Sequence, residues 1–105
     1  MSVIELTEKS FDTAINSPNV LVDFYAEWCG PCRAQAPVLE AFAERYEGRV
    51  KVTKLDVDQA PSVAQRLGIM SVPTLVAFRE GKETARRTGV QSSEGLAALV
   101  GQEPT

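Results

Sequence analysis

Apolar positions in this 105-residue chain follow two spacings, one typical of β-strands and one typical of α-helices. In the first strongly apolar run, Val20, Val22 and Phe24 fall on one face of an extended strand. Leu21 and Tyr25 fall on the opposite face. A strand that is apolar on both faces is typical of a sheet covered by helices on both sides. The run therefore predicts the central strand of an α/β protein.

A helix is predicted after this strand, from residue 33 to residue 46. Its apolar residues recur at helical spacing, at Ala34, Val38, Leu39, Phe42, Ala43 and Tyr46. Pro37 lacks an N–H group and is expected to kink the helix, and Gly48 is placed to end it. Cys29 and Cys32 stand between the strand and this helix. The pattern therefore places a Cys-x-x-Cys motif at the start of a helix.

The remaining segments are shorter. They predict strands within 3–6, 50–57, 74–78 and 83–88, and helices within 7–15, 61–67 and 92–100. Thr7 and Ser92 are placed to cap the first and last of these helices, and Pro61 suits the first position of the middle one. This order of elements implies a mixed sheet between two helical layers.

Composition narrows the class of protein. Hydrophobic residues make up 44% of the chain and charged residues 24%, which is ordinary for a soluble globular protein of one domain spanning residues 1–105. The net charge of -3 argues against nucleic acid as a partner. No run approaches the roughly 20 apolar residues of a membrane span. Glu5, Glu8 and Lys9 interrupt any signal peptide, so we expect none.

The motif Trp28-Cys29-Gly30-Pro31-Cys32 holds the only two cysteines, and the chain has no histidine. A structural zinc site needs about four ligands, so this chain cannot close one alone. A structural disulfide is possible, but closing so short a loop contributes only about 2 kcal/mol. A helix N-terminus stabilises an anion, and the thiolate is the reactive form of cysteine. We therefore favour redox chemistry, with a low-pKa thiol at Cys29 and a resolving thiol at Cys32.

A wider set of residues resembles the thioredoxin family. The similarity is carried by the segments 22–32, 54–58 and 72–74 and by Pro37, Gly81 and Gly89. It implies the thioredoxin fold, in which a central mixed five-stranded sheet is flanked by four helices in three layers. The last hairpin would then be antiparallel to the other strands.

The resemblance also implies an activity. The protein would be a disulfide oxidoreductase that reduces disulfides of diverse client proteins through Cys29 and Cys32. A thioredoxin reductase would then return its own cysteine pair to the reduced form. Such a protein needs no cofactor and no metal, and we expect a monomer. Two cysteines and no others suit a reducing compartment, so we expect the cytoplasm. The alternative is a redox-independent binding or assembly subunit that uses the same surface.

Three further positions take their roles from the resemblance. Asp23 is the polar residue of the central strand, and the residues alone leave open whether it faces solvent or is buried. The resemblance favours burial, and Asp23 would then exchange a proton with Cys32. Lys54 would tune that carboxylate, although a solvent-facing lysine is an equal alternative. Pro73 occupies the position of a cis-proline, which would free the main chain of Val72 to pair with an extended client.

An apolar surface around the sulfur atoms completes the expected site. Its members are Trp28, Gly30, Pro31, Val57, Met70, Val72, Gly89 and Val90. The Gly30-Pro31 dipeptide resembles that of the strongly reducing members of the family. Tyr25 stands where the family often has tryptophan.

Overall fold

The computed structural model describes residues 3–102. Within this range the chain forms five strands and four helices, which are β1 (Ile4–Glu5), α1 (Phe11–Ile15), β2 (Val20–Tyr25), α2 (Gly30–Arg45), β3 (Lys51–Asp56), α3 (Pro61–Arg66), β4 (Thr74–Arg79), β5 (Lys82–Thr88) and α4 (Ser93–Leu99). Every element that the sequence predicts is present, in the predicted order. No helix in the described range is long and apolar enough to span a membrane.

The strands form one mixed sheet in the order β1-β3-β2-β4-β5. Strands β1, β3 and β2 are parallel, whereas β4 and β5 run antiparallel to their neighbours. Strand β2 is therefore central, and its Asp23 lies between Lys54 of β3 and Leu75 of β4. The predicted mixed five-stranded sheet is confirmed.

Apolar side chains cover both faces of the sheet. Leu21 belongs to a core that joins one face to α2 and α4, with Phe42 and Leu96 among its members. Val22 and Phe24 belong to a second core on the other face, where α1 and α3 pack. The three layers follow from the two apolar faces of β2, since each face needs its own helices to exclude water.

Helix α2 differs from its prediction in both start and phase. It begins at Gly30 rather than at residue 33. Its buried face contains Cys32, Gln35, Leu39, Phe42, Ala43 and Tyr46. Ala34, predicted to lie on that face, is exposed. The large side chains set the phase, and a residue four positions before Leu39 shares its face, which places Gln35 inside.

Of the two predicted helix caps, the one at Ser92 is confirmed and the one at Thr7 is wrong, because the N-cap residue of α1 is Ser10 and it makes no side-chain cap bond. The N–H of Ser10 donates to Thr7 Oγ1 at 3.1 Å, and the N–H of Thr7 donates to Ser10 Oγ at 2.9 Å. This reciprocal pair closes a turn that precedes α1, so Thr7 caps the turn and α1 begins later, at Phe11. Ser92 Oγ accepts the N–H of Gly95 at 3.1 Å and caps α4 as predicted.

Candidate redox site

The cysteine pair lies where β2 ends and α2 begins. Cys29 is the N-cap residue of α2, and it is disulfide-bonded to Cys32, with the two Cα atoms 5.2 Å apart. The N–H of Cys32 donates to Cys29 Sγ at 3.1 Å. Pro31 lies in the first turn, where a missing N–H removes no helical bond. When the pair is reduced, this N–H and the helix dipole both stabilise a thiolate on Cys29.

The two sulfur atoms differ in their neighbours rather than in exposure. Cys29 is 4% exposed and Cys32 is 5% exposed. Cys29 Sγ lies 3.7 Å from the carbonyl oxygen of Val72, at the edge of the apolar surface. Cys32 instead lines a cavity that also contains Asp23. The first cysteine therefore lies against the apolar surface, and the second lies on a cavity shared with a buried carboxyl group.

The Val72–Pro73 peptide bond is cis, as the resemblance implied. Two hydrogen bonds hold the segment around it. The N–H of Gly89 donates to the Pro73 carbonyl at 2.8 Å, and Thr74 Oγ1 donates to the Ser71 carbonyl at 2.7 Å. These contacts fix the main chain of Val72 beside Cys29.

An apolar surface borders the cysteine pair. Trp28 is 69% exposed and Met70 is 93% exposed. A shallow cavity of about 140 Å³ between them is lined by Trp28, Val57, Ile69, Met70, Ser71 and Val72. Gly30, Pro31 and Val90 are exposed, while Gly89 is half-buried. Val57 and Val72 are also half-buried, so no predicted member of this surface belongs to the fully buried core.

Asp58 is a member of this region that the sequence did not assign. The indole Nε1 of Trp28 donates to Asp58 Oδ2 at 2.8 Å. The N–H of Asp58 in turn donates to Asp56 Oδ1 at 2.9 Å. The ring of Trp28 is thus held in place although most of it is exposed. In the sequence, Asp58 was marked only as part of the segment 54–58 that carries the family resemblance.

Asp23 is buried on the central strand, so the alternative of a solvated carboxylate is wrong. Its side chain is 3% exposed, and Oδ1 has no hydrogen-bond partner among the described residues. Burial raises the pKa of Asp23 to about 7, because the charged form loses its hydration. The positive charge of Lys54 opposes this increase, and the negative charge of Glu5 adds to it.

Lys54 and Glu5 form a small charged group beside Asp23. Lys54 Nζ lies 3.7 Å from Glu5 Oε1 and 5.4 Å from the centre of the Tyr25 ring. The Tyr25 hydroxyl donates to both carboxylate oxygens of Glu5 at 2.9 Å. Burial and this hydrogen bond both raise the pKa of Tyr25. Lys54 is therefore engaged by its neighbours, and the alternative of a plain solvent-facing lysine does not describe it.

A cavity of about 170 Å³ connects Asp23 with Cys32. Its lining also contains charged side chains, which are Glu27, Arg33, Glu40 and Lys54. The volume is sufficient for several water molecules, and the polar lining offers them partners. A proton can therefore move between the carboxyl group and the second cysteine through water.

The site contains no donor set suited to a metal ion. Among residues 3–102, no group of three or more histidine, cysteine, aspartate or glutamate side chains could hold one. The site consists of two cysteines at a helix start, a buried carboxyl group and an apolar surface. This combination defines the class of dithiol–disulfide oxidoreductases.

Comparison with known proteins agrees with this class. The family model for thioredoxin matches residues 2–102. Thioredoxins of Staphylococcus aureus strains Mu50 and MW2 are each 44% identical over 100 residues, which cover 95% of this chain and 96% of theirs. A solved structure, that of a mutant thioredoxin from Halobacterium salinarum, superposes with a TM-score of 0.86 at 35% identity. That match covers 94% of this chain and 88% of that one.

The chain belongs to the thioredoxin family and is a protein disulfide oxidoreductase. The family implies disulfide-containing client proteins and a reductase in general.

Proposed function

We propose that this protein reduces disulfides of diverse client proteins and is restored by a thioredoxin reductase. The observation that carries the proposal is the helix start, where Cys29 Sγ accepts the N–H of Cys32 at 3.1 Å. A thiolate stabilised in this way attacks one sulfur of a client disulfide. A mixed disulfide forms with Cys29, and the other client sulfur leaves as a thiolate.

Cys32 completes the reaction. Its thiolate attacks Cys29 Sγ, the mixed disulfide breaks, and the client leaves with both sulfurs reduced. The two electrons come from the cysteine pair, which ends as the Cys29–Cys32 disulfide. The reductase must then supply two electrons to restart the cycle.

Asp23 is the proposed proton acceptor for Cys32. The two groups line one cavity, and the pKa of Asp23 is raised to about 7 by burial. A group with a pKa near ambient pH can both accept and return a proton. Lys54 tunes this carboxyl group through its charge and takes no part in the exchange itself.

The apolar surface is the proposed client-binding site. Within it we assign client binding to Trp28, Val57, Met70, Val72, Gly89 and Val90, together with the adjoining Pro73, which is itself buried. The main chain of Val72 would pair with an extended segment of the client beside Cys29. A largely apolar surface suits many clients rather than one, since few charges select among them. We propose that the protein acts in this way as a monomer in the cytoplasm, where a reduced pair is maintained.

Reduction of insulin disulfides tests the proposal. We expect the protein to accelerate reduction when it is coupled to NADPH through a thioredoxin reductase. The double variant Cys29→Ser/Cys32→Ser should be inactive. A protein that fails to reduce insulin even after chemical reduction with dithiothreitol would refute the proposal. Activity after dithiothreitol but not with the reductase would refute only the reductase assignment.

A further inference from the structure

Gln35 is a fully buried amide on the inner face of α2, one turn after Cys32. Its side chain is 0% exposed. The other buried residues of this face, such as Leu39 and Phe42, are apolar or cysteine. A buried amide is tolerated only when its polar atoms are hydrogen-bonded. The hydrogen-bond partners of Gln35 therefore indicate why a polar side chain occupies this buried position.

Both polar atoms of the Gln35 side chain bond to the main chain of Gln91. The N–H of Gln91 donates to Gln35 Oε1 at 2.6 Å, and Gln35 Nε2 donates to the Gln91 carbonyl at 3.1 Å. Gln91 lies between β5 and α4, outside any strand or helix. Two bonds to one residue fix both the position and the orientation of this connection against α2.

The same connection carries Gly89 and Val90 of the proposed client-binding surface. Its first residue is held from the other side, because the N–H of Gly89 donates to the Pro73 carbonyl at 2.8 Å. Gln91 Nε2 also donates to the Gly89 carbonyl at 3.1 Å. The segment 89–91 is therefore tied both to the loop beside Cys29 and, through Gln35, to the helix that begins there.

We propose that Gln35 is a positioning residue for client binding. It holds Gly89 and Val90 at the place beside Cys29 where a protein client makes contact. This inference rests on the proposed function, since it assumes that the surface binds clients. A protein disulfide needs the segment 89–91, whereas a small disulfide reaches the sulfur without it. The two kinds of substrate should therefore respond differently to loss of the Gln35 bonds.

The test compares Gln35→Met with wild type by saturation kinetics of the pre-reduced proteins. Methionine fills a similar volume but makes neither bond to Gln91. We expect the half-saturating insulin concentration to rise threefold or more, with the limiting rate within twofold. The rate with 5,5′-dithiobis(2-nitrobenzoate), a small disulfide, should stay within twofold. The equilibrium constant of the cysteine pair with glutathione should also stay within twofold.

Two controls separate positioning from stability. Gln65→Met makes the same chemical change on α3, where Gln65 is exposed, and should leave the kinetics with both substrates unchanged. Val52→Ala weakens the core that contains Leu39 and Phe42, and it should lower stability without raising the half-saturating insulin concentration. If Gln35→Met does not fold, Gln35→Asn keeps the amide one methylene shorter and takes its place.

The outcomes distinguish this inference from the function on which it rests. Wild type that reduces neither substrate would overturn the proposed function. Wild type that reduces both, beside a Gln35 variant with an unchanged half-saturating insulin concentration, would overturn the inference alone. Equal losses on insulin and the small disulfide would also overturn it, because Gln35 would then only stabilise the fold.

Discussion

Asp23 and Lys54 are paired residues in the register of β2 and β3, yet the ammonium group of Lys54 lies 3.7 Å from Glu5. Oδ1 of Asp23, meanwhile, has no hydrogen-bond partner among the described residues. Lys54 thus acts on two carboxyl groups, one partly exposed and one buried. Its charge lowers the pKa of Asp23 but does not cancel the effect of burial. The pKa of Asp23 therefore depends on its own burial in β2 and on the charges of Lys54 in β3 and Glu5 in β1.

Removing the charge of Lys54 and removing the charge of Glu5 should move the pKa of Asp23 in opposite directions. Lys54→Met removes the charge that lowers this pKa, so we expect it to rise above 7. Glu5→Gln removes a charge that raises it, so we expect a decrease. Each change should be on the order of one pH unit or less, since both partners are partly exposed. Carboxyl ¹³C chemical shifts of Asp23, followed as a function of pH, measure it.

Lys51→Met is the matched control for Lys54→Met. Lys51 lies on the same strand, but its Nζ donates to the Ala14 carbonyl at 3.2 Å and is absent from the charges that act on Asp23. The titration of Asp23 should be unchanged in this variant. Shifts of the same sign in Lys54→Met and Glu5→Gln would contradict the electrostatic account.

The two cysteines should trap clients unequally. Cys32→Ser leaves the attacking thiolate but removes the group that resolves the mixed disulfide. We therefore expect client proteins to accumulate on this variant, and none on Cys29→Ser. Non-reducing gels of a lysate incubated with each variant, followed by release with dithiothreitol, measure the trapped material. Equal trapping by the two variants would contradict the assignment of Cys29 as the nucleophile.

Pro31→His should make the disulfide more oxidising. An imidazolium group beside Cys29 adds positive charge near the thiolate and stabilises the reduced form. We expect an increase on the order of 30 mV, equivalent to about 1.4 kcal/mol for two electrons. Equilibration with glutathione buffers at pH 6, where histidine is largely charged, measures it. Ala41→His, at an exposed position further along α2, should leave the potential unchanged. An unchanged or lower potential in Pro31→His would refute this explanation.

Features set by neighbouring residues could be predicted from the sequence. The apolar faces of β2 and the spacing of Leu39, Phe42 and Tyr46 located the sheet, the helix and the cysteine pair between them. The turn that joins β4 to β5 is local in the same sense, because Glu80 and Gly81 both adopt left-handed backbone angles, with φ of 51° and 86°. Such features depend on periodicity and turn chemistry, which a single sequence records.

Features set by distant residues could not be predicted in the same way. The burial of Gln35 depends on the main chain of Gln91, 56 positions away. The role of Glu5 depends on its pairing opposite Lys54, which only the register of β1 and β3 defines. The cis bond at Pro73 and the burial of Asp23 came from resemblance, since the residues alone left both open. Contacts of this kind leave no local pattern.

The stability of Asp23→Asn should differ from that of wild type in a pH-dependent way. The pKa of Asp23 is about 7 in the folded protein and near 3.8 when unfolded. The folded protein therefore binds more protons than the unfolded chain between these values, so its stability falls as pH rises from about 4 to 7 and the loss is complete above 7. An asparagine has no charge to bury. Between pH 4 and pH 9 the variant should gain about 4 kcal/mol relative to wild type, as an upper figure.

Urea unfolding of the oxidised proteins at pH 4 and pH 9 measures this difference, with the disulfide keeping both cysteines from titrating. Asp12→Asn, at an exposed carboxylate on α1 that pairs with Arg66 at 3.0 Å, is the matched control, and it should show no gain in stability between pH 4 and pH 9. Asp23→Asn should also slow the resolving step, because Cys32 loses its proton acceptor, and single-turnover reduction of insulin measures this separately. A stability difference that is constant with pH would mean that Asp23 is solvated in the folded protein. An unchanged single-turnover rate would instead remove its role in proton transfer while leaving its burial intact.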